Sequence, residues 1–316
     1  MGLIGIDQVV YGVEDMAQAR RFLDDWGVKP VAQTDAALEY ETADGSGVWA
    51  RPKDANDLPA PVEPGNTIRR IVWGAQSKDD LQRVAAELSK DRKVVEDKDG
   101  TIHSTDLHGI GISFRLTRKR PIKMERAPMN TPTHIERVDM PSPIYDHAVP
   151  QRIGHAVMAC PDQEAAERFY VDRLGFTVSD RYPGWATFLR CSPEGDHHNL
   201  FFMKHPEGRV GLNHVAFTVR DIHEVFGGGL NVSRKGWNTE VGPGRHPVSS
   251  AYFWYFMSPL GGANEYYADE DHLTPKWKPR ELKRSPQMFA EWALQAGIDE
   301  ARRPASVAHI NETKKS

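Results

Sequence analysis

Three side chains in the later part of the chain, His155, His214 and Glu265, are of the types that hold a transition metal. Two imidazoles and one carboxylate on neighbouring strands form a facial set that leaves coordination positions open for substrate and for dioxygen. Taken singly, each has a plainer use. A strand histidine is most often a hydrogen-bonded structural residue, and a glutamate near a strand end is usually solvated. What singles these three out is that they occupy matched places in an internal repeat.

Residues 6–27 and 153–175 follow the same plan. Each opens on an alternating run that suits a half-buried strand. Asp15 and Asp162 then stand where a helix N-cap is needed. The helical stripes are Ala19, Phe22, Leu23 and Trp26 in one copy, and Ala166, Phe169, Tyr170 and Leu174 in the other. Gly27 and Gly175 follow as stop signals. Two shorter matches extend the pattern. Residues 68–73, with a helix over 78–88, resemble 212–217 with a helix from 221, and 107–114 resemble 260–267. The chain therefore reads as four units in two pairs. Where the second pair places His155, His214 and Glu265, the first places Gln8, Arg70 (or Arg69) and Ile112. Arginine and isoleucine cannot ligate a metal, so the first pair reads as scaffold and the second as the active half.

Composition narrows the classes. The chain has 316 residues, of which 39% are hydrophobic and 27% charged, an ordinary globular balance. A net charge of −4 gives no electrostatic reason to expect nucleic acid or an anionic membrane as partner. The longest aromatic or apolar run, 252–257, is far too short to span a bilayer, and the first residues do not read as a secretory signal. Two cysteines make no disulfide framework, so a cytoplasmic location is the default expectation. The organisation expected is a scaffold pair over 1–118, a linker over 119–150 with six prolines, a catalytic pair over 151–283, and a C-terminal helix and tail over 284–316. In that last segment Ser285-Pro286 reads as a helix start, the stripe Phe289, Trp292, Ala293, Ala296 as its apolar face, and Gly297 as its stop.

The segment Gly244-Arg-His246, Tyr255, Pro259, Gly261, Glu265 resembles the signature of the type I extradiol ring-cleavage dioxygenases of the vicinal oxygen chelate superfamily. Eight residues separate His246 from Tyr255, and nine separate Tyr255 from Glu265. Trp254 and Ser258 depart from the family's usual residues. The resemblance implies an α+β fold of four βαβββ modules in two paired-module domains, with the metal in the later one. It implies Fe(II) as cofactor, Mn(II) being used by some relatives. It makes His155, His214 and Glu265 the ligands, His198 the acid–base residue in preference to its neighbour His197, and His246 and Tyr255 the pair that touches the diol and the oxygen. On the residues alone, Tyr255 reads as a core aromatic and His246 as a loop residue. Val157, two positions beyond His155 on the same strand face, is expected at the substrate pocket, as are Trp185 and Phe188. Phe253, on the face of Tyr255, is expected there too.

The implied partners are a catecholic, possibly trihydroxylated, aromatic and O2, with assembly as a homo-oligomer. A histidine is the natural base for the second hydroxyl proton near neutral pH, and Tyr255 and His246 are expected to donate hydrogen bonds to developing oxygen charge. Two other readings of the same fold stand beside this one: a glyoxalase-like metal-dependent isomerase or epimerase, and a binding protein that sequesters a small molecule without chemistry.

Overall fold

Each repeat unit folds as a strand, a helix and further strands. The computed structural model describes residues 1–294. The first half contains β1 (Leu3–Val13), α1 (Met16–Trp26), β2 (Lys29–Gln33), β3 (Leu38–Glu41), β4 (Gly47–Pro52), β5 (Thr67–Ala75), α2 (Lys78–Leu88), β6 (Val95–Glu96), β7 (Ile102–Thr105) and β8 (Gly111–Leu116). The second contains β9 (Arg152–Cys160), α3 (Gln163–Arg168), β10 (Thr177–Tyr182), β11 (Ala186–Arg190), β12 (Gly195–Asp196), β13 (Leu200–Lys204), β14 (Gly211–Thr218), α4 (Ile222–Arg234), β15 (Thr239–Arg245), β16 (Tyr252–Met257) and β17 (Ala263–Ala268). After it come β18 (His272–Leu273), β19 (Arg280–Glu281), α5 (Pro286–Phe289) and β20 (Trp292–Ala293).

The strand order repeats with the sequence. The first sheet runs β2-β3-β4-β1-β5-β8-β7-β6, and the second β10-β11-β13-β9-β14-β17-β16-β15, with β19 and β20 added at its edges. In both, two modules join through a central antiparallel pair, β1 with β5 and β9 with β14. Local chemistry starts and stops the helices as expected. Asp15 accepts from the Gln18 amide, Asp162 accepts from the Ala165 amide, and Gly27 leaves α1 in the left-handed region at φ 83°. After α3 the chain widens into a π-helical turn, Phe169–Arg173, which keeps Phe169 and Tyr170 buried.

Pairing register corrects one sequence match. Gln8 faces Val72 as His155 faces Ala216, and Val72 faces Ser113 as Ala216 faces Glu265. The first-half counterpart of Glu265 is therefore Ser113, not Ile112. The same ladder selects Arg70 rather than Arg69 as the counterpart of His214, since they face Gly111 and Ala263. A slip of one residue moves a side chain to the opposite face, and Ile112 accordingly lies in the core with no exposure.

One continuous hydrophobic cluster runs through both halves. Trp26 of α1 stacks on Tyr266 of β17 with ring centroids 3.8 Å apart, and the Tyr266 hydroxyl donates to the Trp26 carbonyl at 2.5 Å. Trp73 meets Phe176 edge-on at 4.9 Å. Three successive glycines sit within α4, where each is intrinsically unfavourable by about 1 kcal/mol relative to alanine. Packing explains them: a Cβ on Gly227 would strike the Tyr145 backbone, one on Gly228 Ala148, and one on Gly229 the Trp254 indole. The 119–150 segment thus lies against α4 near its end, and its one internal pairing is the bridge Thr131–His134.

The expected C-terminal helix is a strap instead. Ser285 accepts from the Met288 amide, but α5 ends at Phe289. Trp292 and Ala293 then pair as β20 with Arg245 and Gly244 of β15. The open edge of β15 offers unsatisfied backbone groups that an extended strand can use and a helix cannot. Phe289 packs on His246 and Phe253 rather than along a helix face. Ala296 and Gly297 lie outside the described residues. Among those described, no helix is long and apolar enough to cross a membrane.

Candidate metal centre

The three middle strands of the second sheet place one side chain each on a common spot. On β9 and β17 alternation sends Ala156 and Tyr266 to the core and their neighbours His155 and Glu265 to the other face; His214 comes from β14. All three are buried. His155 Nε2 and His214 Nε2 are 3.3 Å apart, and Glu265 Oε2 is 3.2 Å from the first and 3.3 Å from the second. Ligand atoms about 2.1 Å from one ion are separated by roughly 3.0 Å at right angles and roughly 3.4 Å in a tetrahedron, so the triangle fits a single ion.

Protonation fits as well. The Asn213 amide oxygen is 2.7 Å from His214 Nδ1, so that nitrogen donates and Nε2 keeps its lone pair. Burial, with the neighbouring His198, pushes His155 down to about 4, so its ring is neutral near pH 7. Burial acts to raise the Glu265 carboxyl, but the facing imidazoles of His155, His214 and His246 outweigh it and hold the group well below the usual range. Glu265 Oε2 and His155 Nδ1 are buried and lack a well-aligned hydrogen bond. Two imidazole nitrogens and an ionised, unsatisfied oxygen converge on one point, which is the donor set a divalent transition metal takes.

In the first half the matched residues do something else. Arg115 donates to Gln8 Oε1 at 2.8 Å, and Ser113 Oγ is 2.7 Å from His103 Nδ1. A guanidinium fills the space in which the second half gathers imidazoles.

Above the triad lies a cavity of about 620 Å³. Tyr182, Trp185, Phe188 and Phe201 form its aromatic wall, with Phe188 and Phe201 stacked at 4.2 Å. Val157, Trp185 and Phe188 line it as expected from sequence. Phe253 does not: it is fully buried and stacked against the His246 imidazole, centroids 4.0 Å apart. The strap supplies Arg284, Met288 and Phe289 to the mouth, which sequence reasoning did not foresee. Arg284 lies 4.2 Å over the Trp185 ring.

His198, Tyr255 and His246 all reach this cavity, whereas His197 is not among its lining residues. His197 has no exposure and its Nε2 contacts Asp180 Oδ2 at 2.8 Å. Burial, with Glu265, holds the Tyr255 phenol well above its usual range, so it stays a donor. His246 Nδ1 lies 2.6 Å from the Phe289 carbonyl, which can only accept, so Nδ1 carries a proton. Its Nε2 lies 3.0 Å from the Tyr255 hydroxyl. Glu270 was also missed. Its carboxyl is buried beside His198 and His155, with Oε1 3.0 Å from His198 Nδ1, and burial, with Asp196 nearby, pushes it up to about 8.

Residues 152–272 match the family described as the Glyoxalase/Bleomycin resistance protein/Dioxygenase superfamily. The chain is 29% identical to metapyrocatechase 2 of Cupriavidus necator over 275 residues, covering 85% of this chain and 82% of that one. It is 31% identical to an iron-dependent extradiol dioxygenase of Rhodococcus jostii over 129 residues, 35% of this chain and 41% of the relative. Among solved structures, the Mn(II)-bound glyoxalase from Novosphingobium aromaticivorans superposes with a TM-score of 0.72 at 24% identity, covering 92% of this chain and 91% of that one. The 2,2',3-trihydroxybiphenyl 1,2-dioxygenase from Sphingomonas wittichii does so with 0.71 at 16% identity, covering 93% and 100%. The solved structures establish the shared fold.

Proposed function

We propose that this chain is an extradiol dioxygenase. It takes a catecholic ring, adds both atoms of O2, and opens the ring beside the two hydroxyls rather than between them. The observation that carries this reading is the triangle of two imidazole nitrogens and one carboxylate oxygen at the floor of an aromatic cavity, with His198 and Tyr255 on its walls. The relatives named as a metapyrocatechase and an extradiol dioxygenase support it. His155, His214 and Glu265 hold Fe(II), or Mn(II), in this proposal. When bound, that ion supplies adjacent positions for the diol and O2 and a path for electrons between them.

The protein's own groups do the rest. The aromatic wall grips the flat ring and excludes water, which strengthens every polar contact inside. His198 takes the second hydroxyl proton and later returns it. Tyr255, held as a neutral phenol, donates to negative charge developing on oxygen. His246, pinned by the strap carbonyl, aims that phenol. Residues 151–283 act as the catalytic half and 1–118 as its scaffold. The mostly aromatic wall favours an uncharged, substituted catechol or trihydroxybenzene. A cytoplasmic homo-oligomer is the form in which we expect it to work.

The test is oxygen uptake by protein reconstituted anaerobically with Fe(II), using a panel of catechols and trihydroxybenzenes. Stoichiometric O2 consumption with a yellow ring-fission product is the expected result. Metal-dependent turnover of an α-hydroxy or dicarbonyl compound without O2 uptake would instead establish an isomerase. Tight aromatic binding with no metal would establish a binding protein.

A further inference from the structure

Behind His198 lies a buried polar chain that the proposed chemistry has not used. Arg280 grips Asp180 with Nε at 3.1 Å and Nη2 at 2.5 Å, and its backbone amide adds a third bond at 2.8 Å. Asp180 and His197 both have no exposure. His197 Nε2 is 2.8 Å from Asp180 Oδ2, and its Nδ1 is 3.2 Å from His198 Nδ1. Only His198 of this chain lines the cavity.

We propose that Asp180 and His197 are positioning residues that fix His198 as the tautomer with its proton on Nδ1 and a bare lone pair on Nε2. The catalytic consequence rests on the dioxygenase reading; the tautomer does not. The argument runs from the far end. Burial acts to raise Asp180, but His197 and Arg280 outweigh it and hold it ionised, so its oxygens only accept. His197 must therefore donate from Nε2. The two Nδ1 atoms, 3.2 Å apart, share one proton, and because the Arg280 guanidinium already matches the Asp180 charge, the proposal places that proton on His198. Glu270 Oε1 lies 3.0 Å from the same Nδ1 but is not aligned to accept from it. A carboxyl that is partly protonated can also donate, so Glu270 alone would not set the tautomer; the link anchored on Asp180 does. The result is a base pointed by its neighbour, as a carboxylate orients a catalytic imidazole.

The experiment is long-range 1H–15N correlation NMR on the full chain, labelled in histidine nitrogen and loaded with diamagnetic zinc. The His198 pattern is assigned by its loss in His198→Phe. An Nδ1–H pattern for His198 in the wild type supports the proposal, and an Nε2–H pattern overturns it. In the Fe(II) enzyme, His197→Phe lowers kcat by about 10–100-fold with metal content and KM nearly unchanged. His197→Gln restores part of it, because its amide donates to Asp180 while its carbonyl accepts from His198. Equal kcat in wild type and His197→Phe overturns the proposal. A wild type with the Nδ1–H pattern but no O2 uptake sinks the dioxygenase reading and leaves the tautomer standing.

Discussion

Replacing Glu265 by Gln removes the one charge of the triad while keeping its volume. Glu265 is 1% exposed, and its Oε2 faces two imidazole nitrogens at 3.2 and 3.3 Å. In the metal-free protein His155 is neutral, held at about 4 by burial and the adjacent His198. The facing imidazoles nonetheless hold the Glu265 carboxyl well below its usual range, so the folded state favours that charge and metal-free Glu265→Gln should melt somewhat below metal-free wild type. With metal the gap widens. An ion at a thousand times its Kd stabilises the folded state by about 4 kcal/mol, which raises the midpoint by roughly 6 °C for a chain of this length. Wild type should show that increment with Mn(II), or with Fe(II) under anaerobic conditions, and Glu265→Gln should lose most of it. Thermal melts at graded metal concentration, with metal analysis of the dialysed protein, read both effects. If the variant keeps the full increment, Glu265 is not a ligand. If it melts several degrees lower without metal while wild type gains nothing from metal, the triangle is a structural ion pair and the site has been misread.

His198→Phe should keep the metal and lower turnover by about 10²–10⁴; loss of iron on dialysis would show that His198 is a ligand and not the base. Ile112→Ala should leave metal content unchanged and cost about 2–5 kcal/mol in urea unfolding, because Ile112 is fully buried in the shared core. Asp106 gives a pH signature. Burial lifts its carboxyl to about 6, against an ordinary 3.8, although the amides of His108 and Ile110 and the Tyr170 hydroxyl donate to it. The folded state thus binds more protons between about pH 4 and 6, so this group's contribution to stability falls as pH rises through that window. Asp106→Asn lacks the penalty, and its melting point relative to wild type should climb from pH 4 to pH 7; a flat difference would mean that Asp106 is ionised throughout.

Much of the fold could be read because the chain carries two copies of one pattern. Caps at Asp15 and Asp162, stripes such as Ala19-Phe22-Leu23-Trp26, and stops at Gly27 and Gly175 are local signals, and α2 occupies the 78–88 stretch its periodicity marks. The candidate triad is legible for the same reason. Failures arose where the deciding force is not local. Pairing register chose Ser113 over Ile112, and nothing within 107–114 reveals which face pairs. The 285–293 segment has a helix start and an apolar stripe, yet the unpaired edge of β15 claims it. Phe253 shares a face with Tyr255 but lies under His246, whose Nδ1 is tied to the strap's Phe289 carbonyl. Glu270 sits in an Asp-Glu-Asp run that reads as solvated, and no neighbouring residue signals its burial. The adjacent histidines 197 and 198 read as rivals for one role; the loop between β12 and β13 gives them consecutive places in one chain of contacts.

Trp26 lies flat against the back of the strand whose next side chain is Glu265. The half without the triad is thus the footing of the strand that carries Glu265. A change at Trp26 would reach the candidate site through a single aromatic stack, so the core of one half is held to the needs of the other.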